Sequence, residues 1–89
     1  MKAVVTVVGK DRVGIIAGVC VKLAEFNVNV LNISQSVMEG FFTMMMVVDV
    51  TDSTVPLAEL AQRVENMGKD MGLSIRLQRE DIFDAMHRV

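Results

Sequence analysis

Few residues in this 89-residue chain have side chains that could do chemistry, and their spacing limits what that chemistry is. There is one histidine, His87, one cysteine, Cys20, and no CxxC pair, so the sequence offers no ligand set for a metal. His87 falls on the polar side of a C-terminal helical pattern and reads as a solvated imidazole. Cys20 sits inside an apolar helical stretch and reads as a small buried hydrophobe. No serine or cysteine has a base placed to activate it, so nucleophilic catalysis is not expected. Met44, Met45 and Met46 run together, but successive strand residues point to opposite faces, so the three cannot gather round one ion. They read as adaptable core filler, with Met45 a candidate for a soft subunit or ligand contact. What remains is the loop Gly9-Lys10-Asp11-Arg12-Val13-Gly14, which opens onto a helix. Free backbone N–H groups at a helix start suit a carboxylate. Asp11 could hold an ammonium group and Arg12 a second anion. Equally, Asp11 could cap the helix and Arg12 be a solvated charge.

The elements that must position this loop follow from the hydrophobic pattern. Ala3 to Val8 is apolar at nearly every position, as a central strand is. After the loop, Ile15, Val19, Leu23 and Phe26 fall on one helical stripe, and Asn27 suits the left-handed residue past the helix end. Val28 to Met38 reads as a more polar strand, Glu39-Gly40 as a hairpin turn, and Phe41 to Val50 as an apolar strand. Pro56 opens a second helix with Leu57, Leu60, Ala61, Val64, Met67 and Met71 on its stripe, and Gly72 ends it. Gly68, inside that helix, has no local reason in the sequence. Leu73 to Arg79 alternates as a fourth strand, and Glu80 to Val89 forms a short amphipathic helix with Ile82, Phe83, Met86 and Val89 along one side.

The order βαββαβ plus a tail helix is the ferredoxin-like α+β arrangement: a four-stranded antiparallel sheet with two helices on one face. The first and third strands are expected at its centre, the polar second and fourth at its edges. Phe42, Met44, Met46, Val48 and Val50 would lie under the helices. Phe41, Met45 and Val47, with Val4 and Val8, would lie on the opposite face, which the C-terminal helix or a second subunit should cover.

Composition points the same way. The chain is 52% hydrophobic with a mean hydropathy of +0.43, more apolar surface than so small a body hides alone. The net charge of −2, with Lys and Arg scattered, disfavours nucleic-acid binding. There is no apolar run long enough to span a membrane and no signal-peptide pattern, so a cytoplasmic protein is expected. Arg12 lies where an acylphosphatase of this fold carries its phosphate-binding arginine, but the loop does not otherwise match.

The stretch V-V-G-K-D-R-V-G-I-I-A (Val7 to Ala17), followed by L-A-E-F-N-V-N-V (Leu23 to Val30), resembles the ACT domain, the regulatory module attached to many enzymes of amino-acid metabolism. The D-R-x-G-I-x-A variant looks most like the glycine cleavage repressor and the front domain of formyltetrahydrofolate deformylase. The resemblance covers residues 1–79, with 80–89 an appended helix, and is that of a stand-alone ACT-domain protein. It implies a non-catalytic homodimer, paired edge to edge through the second strand, that uses no cofactor. It also implies an amino-acid effector at the junction, held by Asp11, Arg12, Val13, Gly14 and Ile15 of the loop and by Asn29, often from the neighbouring subunit. Two positions depart from effector-binding members, which commonly carry Asn at Asp11 and Pro at Val13. An acid at residue 11 still holds an ammonium but repels a carboxylate. A ligand-free module docking onto an enzyme or regulator is the alternative, and an acylphosphatase-like enzyme ranks below both.

Overall fold

The computed structural model describes residues 1–86. The elements run β1 (Lys2–Lys10), α1 (Ile15–Glu25), β2 (Asn29–Met38), β3 (Phe41–Asp49), α2 (Leu57–Asp70), β4 (Ser74–Arg79) and α3 (Glu80–Met86). The strands form one antiparallel sheet in the order β2-β3-β1-β4. The two most apolar strands are therefore central and the two more polar ones form the edges, as their compositions require.

The alternation of β3 decides where the core sits. Phe42, Met44, Met46, Val48 and Val50 are all at most 4% exposed, and they pack beneath α1 and α2 with Ala3, Val5 and Val7 of β1. The helices contribute Ile15, Val19 and Leu23 from α1 and Leu60 and Val64 from α2. Each such side chain withdrawn from water contributes roughly 1.5–3 kcal/mol. The β2–β3 turn needs both of its residues at positive φ, Glu39 at 52° and Gly40 at 81°, the turn whose twist matches a hairpin. Gly68 has a tertiary reason: a Cβ there would meet Ile75 Cγ1 at 2.6 Å, so its absence lets α2 lie close against β4.

The opposite face is covered only in part. α3 packs against β1 and β4, and Val4 beneath it is 5% exposed. Phe83 is half-buried, whereas Ile82 is 46% exposed, so these two apolar residues of the tail do not share one side as the sequence pattern implied. Arg79 reaches Asp81 with two bonds, Nε at 3.1 Å and Nη2 at 2.7 Å, and these hold the Asp81 carboxyl below its ordinary pKa. His87 and Val89 lie outside the described residues. Val8, Met45 and Phe41 stay on the surface at 45%, 43% and 55% exposure.

Candidate functional site

The loop between β1 and α1 is tied at both ends. The Asp11 backbone N–H donates to the Gly40 carbonyl at 2.8 Å, which fastens the loop to the tip of the β2–β3 hairpin. The Arg12 guanidinium donates to the Met71 carbonyl, which fastens it to the end of α2. The same contact supplies a cation to carbonyls at a helix C-terminus. Val13, between Arg12 and Gly14, is wholly exposed. Gly14 then turns the chain at φ 93° and stands at the N-cap of α1 with no side-chain cap, so Asp11 does not cap this helix. The first-turn N–H groups of α1 are left for an external acceptor.

The second wall comes from β2. A bulge at Leu31 lies between the pairs Val30–Val48 and Asn32–Val47. One extra residue reverses the alternation of everything that follows. Gln35 and Val37 therefore stand opposite Met44 and Phe42, on the side that faces the helices. Between this wall and the start of α1 lies a cleft of about 510 Å³. Ile15, Ile16, Val37 and Phe42 give it an apolar floor, and Asp11, Arg12 and Gln35 add a carboxylate, a guanidinium and an amide to its lining. Separated charges of opposite sign over an apolar floor suit a small zwitterion with an apolar side chain.

Of the loop residues expected at a binding site, Asp11, Arg12, Gly14 and Ile15 line this cleft and Val13 does not. Asn29 is at the far end of β2, opposite Asp49, beside a separate hollow of about 180 Å³. A ten-residue strand is roughly 30 Å long, so one copy does not bring Asn29 to the loop.

The sequence model of the ACT domain matches residues 2–78. The chain belongs to the ACT-domain family. It is 48% identical over 89 residues to a UPF0237 protein of Listeria monocytogenes, covering 100% of both chains. An ACT domain protein from Streptococcus pneumoniae superposes with a TM-score of 0.82 at 44% identity, over 98% of each chain. A putative glycine cleavage system transcriptional repressor superposes with a TM-score of 0.74 at 22% identity, over 88% of this chain and 44% of the other, which is a likeness of fold.

Within this ACT domain, sequence reasoning missed the hairpin side of the cleft: Gln35, Ser36 and Val37 of β2 and Phe42 of β3. The polar character of β2 was the available signal. Its register, and hence which of its residues face the cleft, depends on the bulge, which leaves no mark in the residue types.

Proposed function

We propose that this ACT domain is a cytoplasmic, non-catalytic regulatory module. In this reading the domain spans residues 1–79 with α3 appended, and it binds an amino acid as a homodimer. The observation that carries the reading is the cleft itself: a loop with an uncapped helix start, opposite charges in the lining and an apolar floor, placed at a free sheet edge. An exposed edge strand is a template for another strand. Pairing β2 with the β2 of a second copy about a two-fold at Ser34 keeps the helices of both copies on one side of a continuous sheet. That operation sets residues 29–30 of each strand against residues 37–38 of the other, so the partner's Asn29 stands beside this cleft. Asp11 and the partner's Asn29 would then hold the ammonium group, and the first turn of α1 the carboxylate.

Thermal unfolding in the presence of each proteinogenic amino acid tests the reading. A ligand at about 100 times its Kd adds about 2.7 kcal/mol, and each kcal/mol raises the Tm of a domain this size by about 4–8 °C. Asn29→Ala and Gly14→Val should each abolish the shift. A flat panel favours the second reading, a ligand-free docking module, for which the exposed Met38, Phe41 and Met45 speak.

A further inference from the structure

We propose that Arg12 is a positioning residue of the cleft: through the Met71 carbonyl it locks the β1–α1 loop onto the turn that follows α2, so that occupancy of the cleft is felt at that turn. The inference rests on the reading of the cleft as the ligand site. It gives Arg12 a part there other than the anion contact that its residue type suggests.

The acceptor comes first. α2 closes with the Leu73 N–H donating to the Gly68 carbonyl at 2.7 Å and the Gly72 N–H donating to the Lys69 carbonyl at 3.1 Å, with Gly72 at φ 73°. This closure serves two of the last carbonyls of the helix and leaves out that of Met71, the C-cap residue. A continued helix would bring the N–H of Ile75 to it, but Ile75 lies in β4, opposite Val7. The Arg12 guanidinium donates to it instead. A cationic donor bonds a carbonyl more strongly than a neutral one, and it also suits the negative end of the helix.

Two close approaches bracket the same loop. On its β1 side, a Cβ on Gly9 would stand 2.4 Å from Leu73 Cδ2. On its α1 side, a Cβ on Gly18 would stand 3.2 Å from Met71 Cε. Residues 71–73 therefore meet the chain before the loop, within it and after it. Loop and turn form one seam, and the Arg12 bond is its polar member.

The loop has little else to hold it. Val13 is wholly exposed, and Gly14 stands at the start of α1 without a side-chain cap. Among the described residues, the other hydrogen bond that ties residues 11–14 to a distant part of the chain runs from the Asp11 N–H to the Gly40 carbonyl. The Arg12 bond thus helps to fix where the first-turn N–H groups of α1 point before a ligand arrives. Order that already exists does not have to be created on binding. The linkage runs both ways: a ligand that holds the loop also steadies the turn.

Amide hydrogen exchange of the full-length chain, first without ligand, tests the lock. Arg12 is exposed, so Arg12→Ala removes the bond without opening the core. It should speed exchange about tenfold, the effect of losing one hydrogen bond to a charged group, at Asp11 in the loop and at Gly72 and Leu73 in the turn. Met46 and Val48 in the core should keep their wild-type rates. Arg12→Lys retains a charged donor and should recover part of the protection. A residue that only contacts a ligand would leave the ligand-free turn unchanged. Unchanged exchange at Gly72 and Leu73, or an equal rise at every amide, therefore overturns the lock. The second arm uses the proteinogenic amino acid that raises Tm most. Bound to the wild type, it should slow exchange at Gly72 and Leu73, and Arg12→Ala should weaken its affinity about tenfold. No slowing at the turn, or an unchanged affinity, overturns the positioning role. If no amino acid binds the wild type, the reading of the cleft fails, and the ligand-free exchange still decides whether Arg12 holds the turn.

Discussion

The two faces of the sheet are built from the same strands and behave in opposite ways. Under α1 and α2, Met44, Met46 and Val48 have no exposed surface. One residue along, Met45 is 43% exposed and Phe41 55%. Both faces carry large apolar side chains, so hydrophobicity alone does not tell them apart; the covering element does. Two long helices close one face, whereas one seven-residue helix, packed on β1 and β4, closes only part of the other. The first face stabilises the single copy, and the second leaves Val8, Phe41 and Met45 exposed.

The largest test of that contrast compares neighbouring methionines. Met46→Ala should cost about 2–5 kcal/mol in urea unfolding, because it opens a cavity in a packed layer. Met45→Ala should stay within about 0.5 kcal/mol at concentrations where copies are separate, since solvent already reaches it. Equal losses would erase the distinction between the faces.

Gly68→Ala sharpens the closed side. Alanine is the better helix former by about 1 kcal/mol, yet its Cβ would strike Ile75, and overpacking typically costs about 1–3 kcal/mol. A net loss of stability in the same assay is expected; a gain would mean that α2 can move away from β4 freely. Gly40→Ala should cost roughly 1–2 kcal/mol, from its backbone conformation alone, because nothing lies within 4 Å of the added Cβ.

The smallest effect concerns the anchor of α3 on the open side. Arg79 lowers the Asp81 pKa, so this pair stabilises the fold at pH values above the carboxyl's unfolded pKa of about 3.9. That contribution is lost as pH falls through the lower, folded-state value. The Tm difference between the wild type and Asp81→Asn should therefore be present near neutral pH and vanish in acid. A difference that persists at low pH would assign the effect to helix propensity instead.

Much of the fold was legible because each level of the sequence agreed with the next. The alternation of Phe42, Met44, Met46 and Val48 named the buried face, and the polar character of β2 named an edge. Asn27, at φ 60°, and Gly72, at φ 73°, ended the two long helices where their residue types said they would. What was not legible depends on contacts between distant residues. Gly68 is explained only by Ile75, and the tether of Arg12 to Met71 joins residues far apart in the chain. The orientation of Ile82 against Phe83 depends on how α3 lies on β1. The candidate site divides in the same way. The loop half was visible as a motif, while the β2 half required the bulge at Leu31, which turns Gln35 and Val37 toward the cleft.

The most direct test of the central claim is an amide NMR titration of the ¹⁵N-labelled chain with each proteinogenic amino acid. The account predicts that at least one of them shifts the amides of residues 11–17 and 35–37, together with Asn29 at the far end of β2. If no amino acid shifts any of these, or if the shifts cluster elsewhere, the cleft is not the binding site of this ACT domain.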